Sequence, residues 1–98
     1  MIYVFGDCEL DLGRYELRRA GAVQPVEPQV FEVLALLLRE RQRVVPKEEL
    51  LDAVWGNDSE IGERTVDVHI RRLRQAIAVK GATDPIRTVR SAGYSMKP

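Results

Sequence analysis

The hydrophobic period of this chain changes once, at Pro28, and that change limits the fold more than any other feature. Before it lie the short runs IYVF, CELD, YELRR and AVQPVE, separated by Gly6-Asp7, Leu12-Gly13 and Ala20-Gly21. Short β-rich runs at turn spacing predict a four-stranded antiparallel meander over residues 1–27, with Pro25 at an edge or strand end. After Pro28 the spacing is helical. In PQVFEVLALLLRERQ, Val30, Phe31, Leu34, Leu37 and Leu38 fall at helical intervals.

Pro28 suits a first helical turn, and the carboxylate of Glu27 suits the positive end of that helix. RVV is a short extended piece. Pro46 opens a second helix, PKEELLDAVWG, with Leu50, Leu51, Val54 and Trp55 inward and Gly56 as its stop. NDSEIGE is a polar loop. A third helix is expected from about Glu63 to Val79, ended by Gly81. ATDP makes a turn, and IRTVRSAGYSM makes two extended runs around Ser91-Ala92-Gly93, a hairpin. The reading is one unit of 98 residues in the α+β class: a meander (1–27), a three-helix core (28–80) and a terminal hairpin (85–97).

Composition removes several classes of function. At 45% hydrophobic and 31% charged residues, the chain is ordinary globular material. One cysteine, Cys8, rules out an internal disulfide, and with one histidine, His69, a zinc site has too few ligands. Cys8 reads as a small half-buried strand residue. The first ten residues lack a basic region and a long apolar core, so they are no signal peptide. VLALLL is far too short to cross a membrane. A cytoplasmic protein with no membrane contact, no metal and no cofactor is expected.

The formal net charge of zero hides two opposed parts. Residues 1–60 hold 7 basic and 12 acidic side chains, net −5, whereas residues 61–98 hold 8 and 3, net +5. Such a division suggests a polyanion-binding face at the C-terminal end. The third helix focuses it. Val66, Ile70, Leu73 and Ile77 form one apolar stripe at 100° per residue. Almost opposite lie Arg64, Val68, Arg71, Arg72 and Gln75; Arg74 and Asp67 flank that face, and His69 lies nearer the core. After Asp67 the outward face has no acid to support the arginines. Arginine and glutamine read base edges, and a small apolar group can touch a thymine methyl. A solvated charged surface and a protein partner are the competing readings of the same face.

A helix, a loop and a basic-faced helix make a helix-turn-helix, whose second helix enters the major groove. The loop is longer than the tight form allows, which argues for a winged or looped variant. The hairpin then supplies Arg87, Arg90, Tyr94 and Lys97, and an arginine at its tip suits the narrow minor groove. The plainer reading is a terminating hairpin with Tyr94 packed as a lid.

Together VVPKEELLDAVWG, RTVDVHIRRLRQAI and IRTVRSAGY resemble the winged helix-turn-helix effector domain of OmpR/PhoB-type bacterial transcription regulators, over essentially the whole chain. The resemblance implies sequence-specific binding of double-stranded DNA, with the helix at about 63–79 in the major groove and the wing at 86–96 at the adjacent minor groove. It implies that Arg64, His69, Arg71, Arg72 and Arg74 touch phosphates or bases, that Asp67 and Val68 lie near bases, and that Thr88, Arg90 and Tyr94 are wing contacts. Trp55 matches a tryptophan that packs the second helix or reaches a phosphate, packing being favoured. Direct-repeat half-sites are implied, as is an RNA polymerase contact through the loop 56–62. Two departures stand out. Glu27-Pro28 replaces a common Thr-Pro pair, and the stretch EPQVFEVLALLLRERQRVV is more similar to the sub-class in which this domain is N-terminal, as in one-component or CadC/ToxR-like regulators. Ser95 and Met96 stand where an arginine and an aromatic often follow, removing one phosphate contact.

Two other classes compete. A winged module that binds only proteins would use the acidic half and be indifferent to Arg71→Ala. An enzyme needs a nucleophile with its base, a carboxylate dyad or a metal. No such set is apparent, so no catalytic residue is assigned.

Overall fold

Val66, Ile70, Leu73 and Ile77, the predicted stripe of the third helix, are all buried, and the fold is assembled around them. The computed structural model describes residues 1–56 and 60–97. Strands β1 (Ile2–Phe5), β2 (Cys8–Asp11), β3 (Glu16–Arg19) and β4 (Ala22–Val23) form an antiparallel sheet in the order β1-β2-β3-β4. Helices α1 (Pro28–Arg39), α2 (Lys47–Trp55) and α3 (Glu63–Ile77) follow, then the hairpin β5 (Ile86–Val89) and β6 (Gly93–Met96).

The meander obeys the two-residue alternation of strands. Phe5, Cys8, Leu10 and Leu17 point to the core, while Ile2 and Val4 remain exposed on the outer side. Cys8, expected half-buried, is fully buried. The β3–β4 turn is Ala20-Gly21 with φ of 50° and 82°. Two left-handed residues match the twist of a two-residue hairpin. β4 is only two residues long, and Pro25 lies beyond it.

Two ties seat this sheet on the helices. Tyr15 stacks on Phe31 with ring centroids 3.9 Å apart, and its hydroxyl donates to Glu32 Oε1 at 3.1 Å. Arg19 Nη1 donates to the carbonyls of Ala76 (3.2 Å) and Ala78 (2.8 Å). Those carbonyls sit at the end of α3, where helices leave acceptors unsatisfied and favour a cation. The helix ends two residues before the expected Val79: α3 stops at Ile77, and Ala78 is extended with ψ 132°.

α1 is the central helix. Besides the five predicted residues it buries Val33 and Leu36, because it packs on α2, α3 and β6 together. α2 buries only Leu50 fully, with Leu51, Val54 and Trp55 partly covered. Gly56, at φ 72°, closes α2 as its stop. The RVV piece does more than connect. Val45 and Tyr94 exchange both backbone hydrogen bonds (2.7 and 3.0 Å), so the segment is tied to the free edge of β6 by one isolated antiparallel bridge.

Candidate nucleic-acid interface

α3 presents its polar face outward because the opposite stripe is held in the core. Arg64, Val68, Arg71, Arg72 and Gln75 are all exposed, as the wheel predicted. Val68 is 40% exposed, an apolar side chain among cations. Among the described residues, Arg64 and Arg71 make no hydrogen bond or ion pair, and neither do Arg87 and Arg90 of the hairpin. Arg72 is held, though lightly: its Nη1 lies 2.9 Å from Glu27 Oε1, with side chains 49% and 55% exposed. A pair so open to water is worth about 0–1 kcal/mol and exchanges readily. Glu27 precedes α1 without capping it, its carboxylate turned to Arg72 instead.

The other predicted contact residues are engaged within the protein. His69 is buried at 9% exposure; its Nδ1 lies 2.7 Å from the Thr65 carbonyl, and its ring meets Trp55 edge-on at 4.8 Å. The structure thus places His69 and Trp55 together in packing. Tyr94 is 5% exposed and its hydroxyl donates to Asp67 Oδ1 at 2.6 Å. Lys47 Nζ lies 3.0 Å from the same oxygen and 3.2 Å from Oδ2. Arg74 Nη2 donates to Thr88 Oγ1 (2.7 Å) and to the Ile86 carbonyl (3.2 Å), and its Nε lies 2.8 Å from Asp84 Oδ2. Lys47 and Arg74 each sit 5.8 Å from the centre of the Tyr94 ring, within cation–π reach.

These contacts set the titration of the pair. Burial acts to raise the Asp67 carboxyl, but hydrogen bonds from Tyr94 and Lys47, with the charges of Lys47 and Arg64, outweigh it and hold the group below the usual range. Burial pushes the Tyr94 phenol up to about 12, reinforced by the bond to Asp67 and its negative charge, against the opposing charge of Arg74. Asp67 is therefore ionised and Tyr94 neutral at ordinary pH.

The hairpin tip is Arg90-Ser91-Ala92, with Arg90 exposed and Ser91 left-handed at φ 63°. Gly93 was expected as part of the tip. It is instead the first residue of β6, at φ 146°, and a Cβ there would lie 2.1 Å from the Val45 carbonyl oxygen. Ser95 and Met96 are buried. Of the loop 56–62, residues 57–59 lie outside the described residues. No group of three or more His, Cys, Asp or Glu that could hold a metal occurs among the described residues. No helix among them is long and apolar enough to cross a membrane.

Sequence reasoning missed Glu27 and Lys47 as partners of the basic helix. Only charge hinted at them, since Glu27 lies 45 residues from Arg72 and Lys47 20 from Asp67.

Three relatives place this arrangement. The phosphate regulon transcriptional regulatory protein PhoB of Rhizobium meliloti is 44% identical over 92 residues, 94% of this chain and 40% of PhoB. The chain thus spans about 40% of the length of the curated relatives it matches. The crystal structure of the DNA-binding domain of Escherichia coli CpxR superposes with a TM-score of 0.86 at 26% identity, covering 99% of this chain and 96% of that one. The Klebsiella pneumoniae RstA DNA-binding domain, solved in complex with the RstA box, shares the fold at a TM-score of 0.83 and 24% identity, covering 98% and 96%. The model of the family described as "Transcriptional regulatory protein, C terminal" matches residues 21–96. With its meander, three helices and C-terminal hairpin, the chain belongs to that family, the OmpR/PhoB-type winged helix-turn-helix DNA-binding effector domains of transcription regulation.

Proposed function

We propose that this domain reads double-stranded DNA by sequence, with α3 in the major groove and the β5–β6 hairpin as a wing at the adjacent minor groove. The observation that carries the reading is the exposed row Arg64, Val68, Arg71, Arg72 and Gln75, in which Arg64 and Arg71 make no hydrogen bond or ion pair among the described residues. An arginine left unpaired beside paired ones is a cation available to phosphate or guanine. Arg71 and Arg72 are assigned to base edges, Gln75 to adenine, Val68 to a thymine methyl, and Arg64 and Arg90 to the backbone or minor groove. Thr88 adds a wing hydroxyl. Asp67, His69, Arg74 and Tyr94 act from behind this surface.

Two copies on direct-repeat half-sites supply the affinity that one small contact face lacks. An RNA polymerase contact through the loop 56–62 and an N-terminal place in a one-component regulator belong to the same proposal. The first rests on the family resemblance and the second on the likeness of the stretch EPQVFEVLALLLRERQRVV to the N-terminal sub-class.

Fluorescence anisotropy on duplex DNA at several salt concentrations tests the reading. Each phosphate contact adds about −0.9 to the slope of log K against log salt. Arg64→Ala/Arg90→Ala is expected to flatten the slope by about 1–2. Arg71→Ala is expected to relax base preference by about 1–3 kcal/mol at one position. A folded protein that binds no duplex at low salt refutes the proposal.

A further inference from the structure

We infer that Asp67 and Arg74 are positioning residues that lock the hairpin at one angle to α3, both acting on a single cross-strand rung, Thr88–Tyr94. Thr88 and Tyr94 face each other in the β5–β6 register. Asp67 grips the rung from one side through the Tyr94 hydroxyl (2.6 Å). Arg74 grips it from the other through Thr88 Oγ1 (2.7 Å) and the neighbouring Ile86 carbonyl (3.2 Å). The two residues are seven apart, so they lie two turns apart along one face of α3. Each is braced in turn: Asp67 by Lys47 at 3.0 Å, from the first turn of α2, and Arg74 by Asp84 at 2.8 Å, from the segment leading into β5. The same rung carries the two backbone bonds to Val45.

The consequence is geometric. Both oxygens of Asp67 are engaged within the protein, by Lys47 and Tyr94. Arg90 lies two residues beyond Thr88, about 7 Å farther along the strand, and is held by nothing else among the described residues. A swing of about 10° at the rung would shift the tip by about 1 Å at that lever arm. The clamp therefore sets the separation between the arginines of α3 and the arginine of the wing, and with it the spacing of major- and minor-groove contacts. The DNA consequence rests on the proposed function; the clamp itself does not.

The test uses the whole chain with Tyr94→Phe, Arg90→Ala and the double variant. Tyr94→Phe removes one hydroxyl bonded to an ionised acceptor, and is expected to weaken duplex binding about five- to tenfold. In the Arg90→Ala background the same change is expected to cost less than about twofold, because the clamp acts through Arg90. Backbone 15N relaxation of the free protein is expected to show residues 86–96 loosening on Tyr94→Phe and on Asp67→Asn while α3 stays ordered. If Asp67→Asn does not fold, Thr88→Val takes its place. Additive losses, an unchanged hairpin, or an Asp67→Asn that only relaxes preference at one base pair overturns the inference. Failure of the unaltered chain to bind duplex refutes the DNA reading instead, and relaxation still judges the clamp.

Discussion

Replacing Gly93 by alanine adds one methyl group and is expected to cost about 2–6 kcal/mol. The Cβ would lie 2.1 Å from the Val45 carbonyl oxygen and 2.8 Å from both Pro46 Cα and Val45 C. All three are backbone atoms, so no side chain can swing aside. The strands must part where Val45 and Tyr94 exchange their two hydrogen bonds. Losing both costs about 1–3 kcal/mol net, and holding alanine at φ 146° adds about 1–3 kcal/mol of strain. That is a large share of the total stability of a small domain, about 5–15 kcal/mol. Urea denaturation measures it, with Gly21→Ala as the control. Gly21 also has positive φ, 82°, but nothing lies within 4 Å of its added Cβ. The control therefore carries only the left-handed penalty of about 1–2 kcal/mol. A Gly93→Ala protein no less stable than Gly21→Ala would refute the reasoning.

Three further expectations follow from the same contacts. Glu27→Gln releases Arg72 and should raise duplex affinity about two- to fivefold at low salt, with little change in stability; unchanged binding in anisotropy would remove Arg72 from the interface. Tyr94, whose folded pKa of about 12 exceeds its ordinary value near 10, contributes stability that is complete below about pH 10 and is lost as pH rises toward 12. Ultraviolet titration should show it as the last tyrosine to ionise, and Tyr94→Phe should abolish that step along with this part of the alkaline unfolding limb; a late step that persists in the variant contradicts the assignment. Cys8 is buried, and burial chiefly pushes its thiol up, with Asp7 adding and Arg19 opposing. Its reaction with a thiol reagent should run at the rate of opening or unfolding, so rapid labelling of the folded chain would count against its place in the core.

The sequence exposed what periodicity can carry. Four apolar residues of α3 and five of α1 sit where their spacing put them, since a helix with one apolar stripe has one way to bury it. The outward arginines followed from the same wheel. Faces were readable; partners were not. Asp67 and Tyr94 are 27 residues apart, and Arg74 and Thr88 14 apart, so nothing local told that they would spend their polar atoms on each other. His69 lay near the boundary on the wheel, and the ring of Trp55 decided it for the interior. Gly93 read as a turn residue because glycine marks turns, yet what requires it is the chain crossing at Val45, 48 positions earlier. β4 is only two residues long because, after Gln24 donates to the Leu17 carbonyl at 2.7 Å, Pro25 has no N–H to carry the ladder further.

The most direct test of the central claim is an amide and arginine side-chain NMR titration of the domain with a selected duplex. The account predicts that the largest shifts gather on Arg64, Val68, Arg71, Arg72 and Gln75 of α3 and on Arg90 of the wing, with the outer face of the meander around Ile2 and Val4 silent. Shifts centred on the meander, with α3 and the wing unchanged, would contradict it.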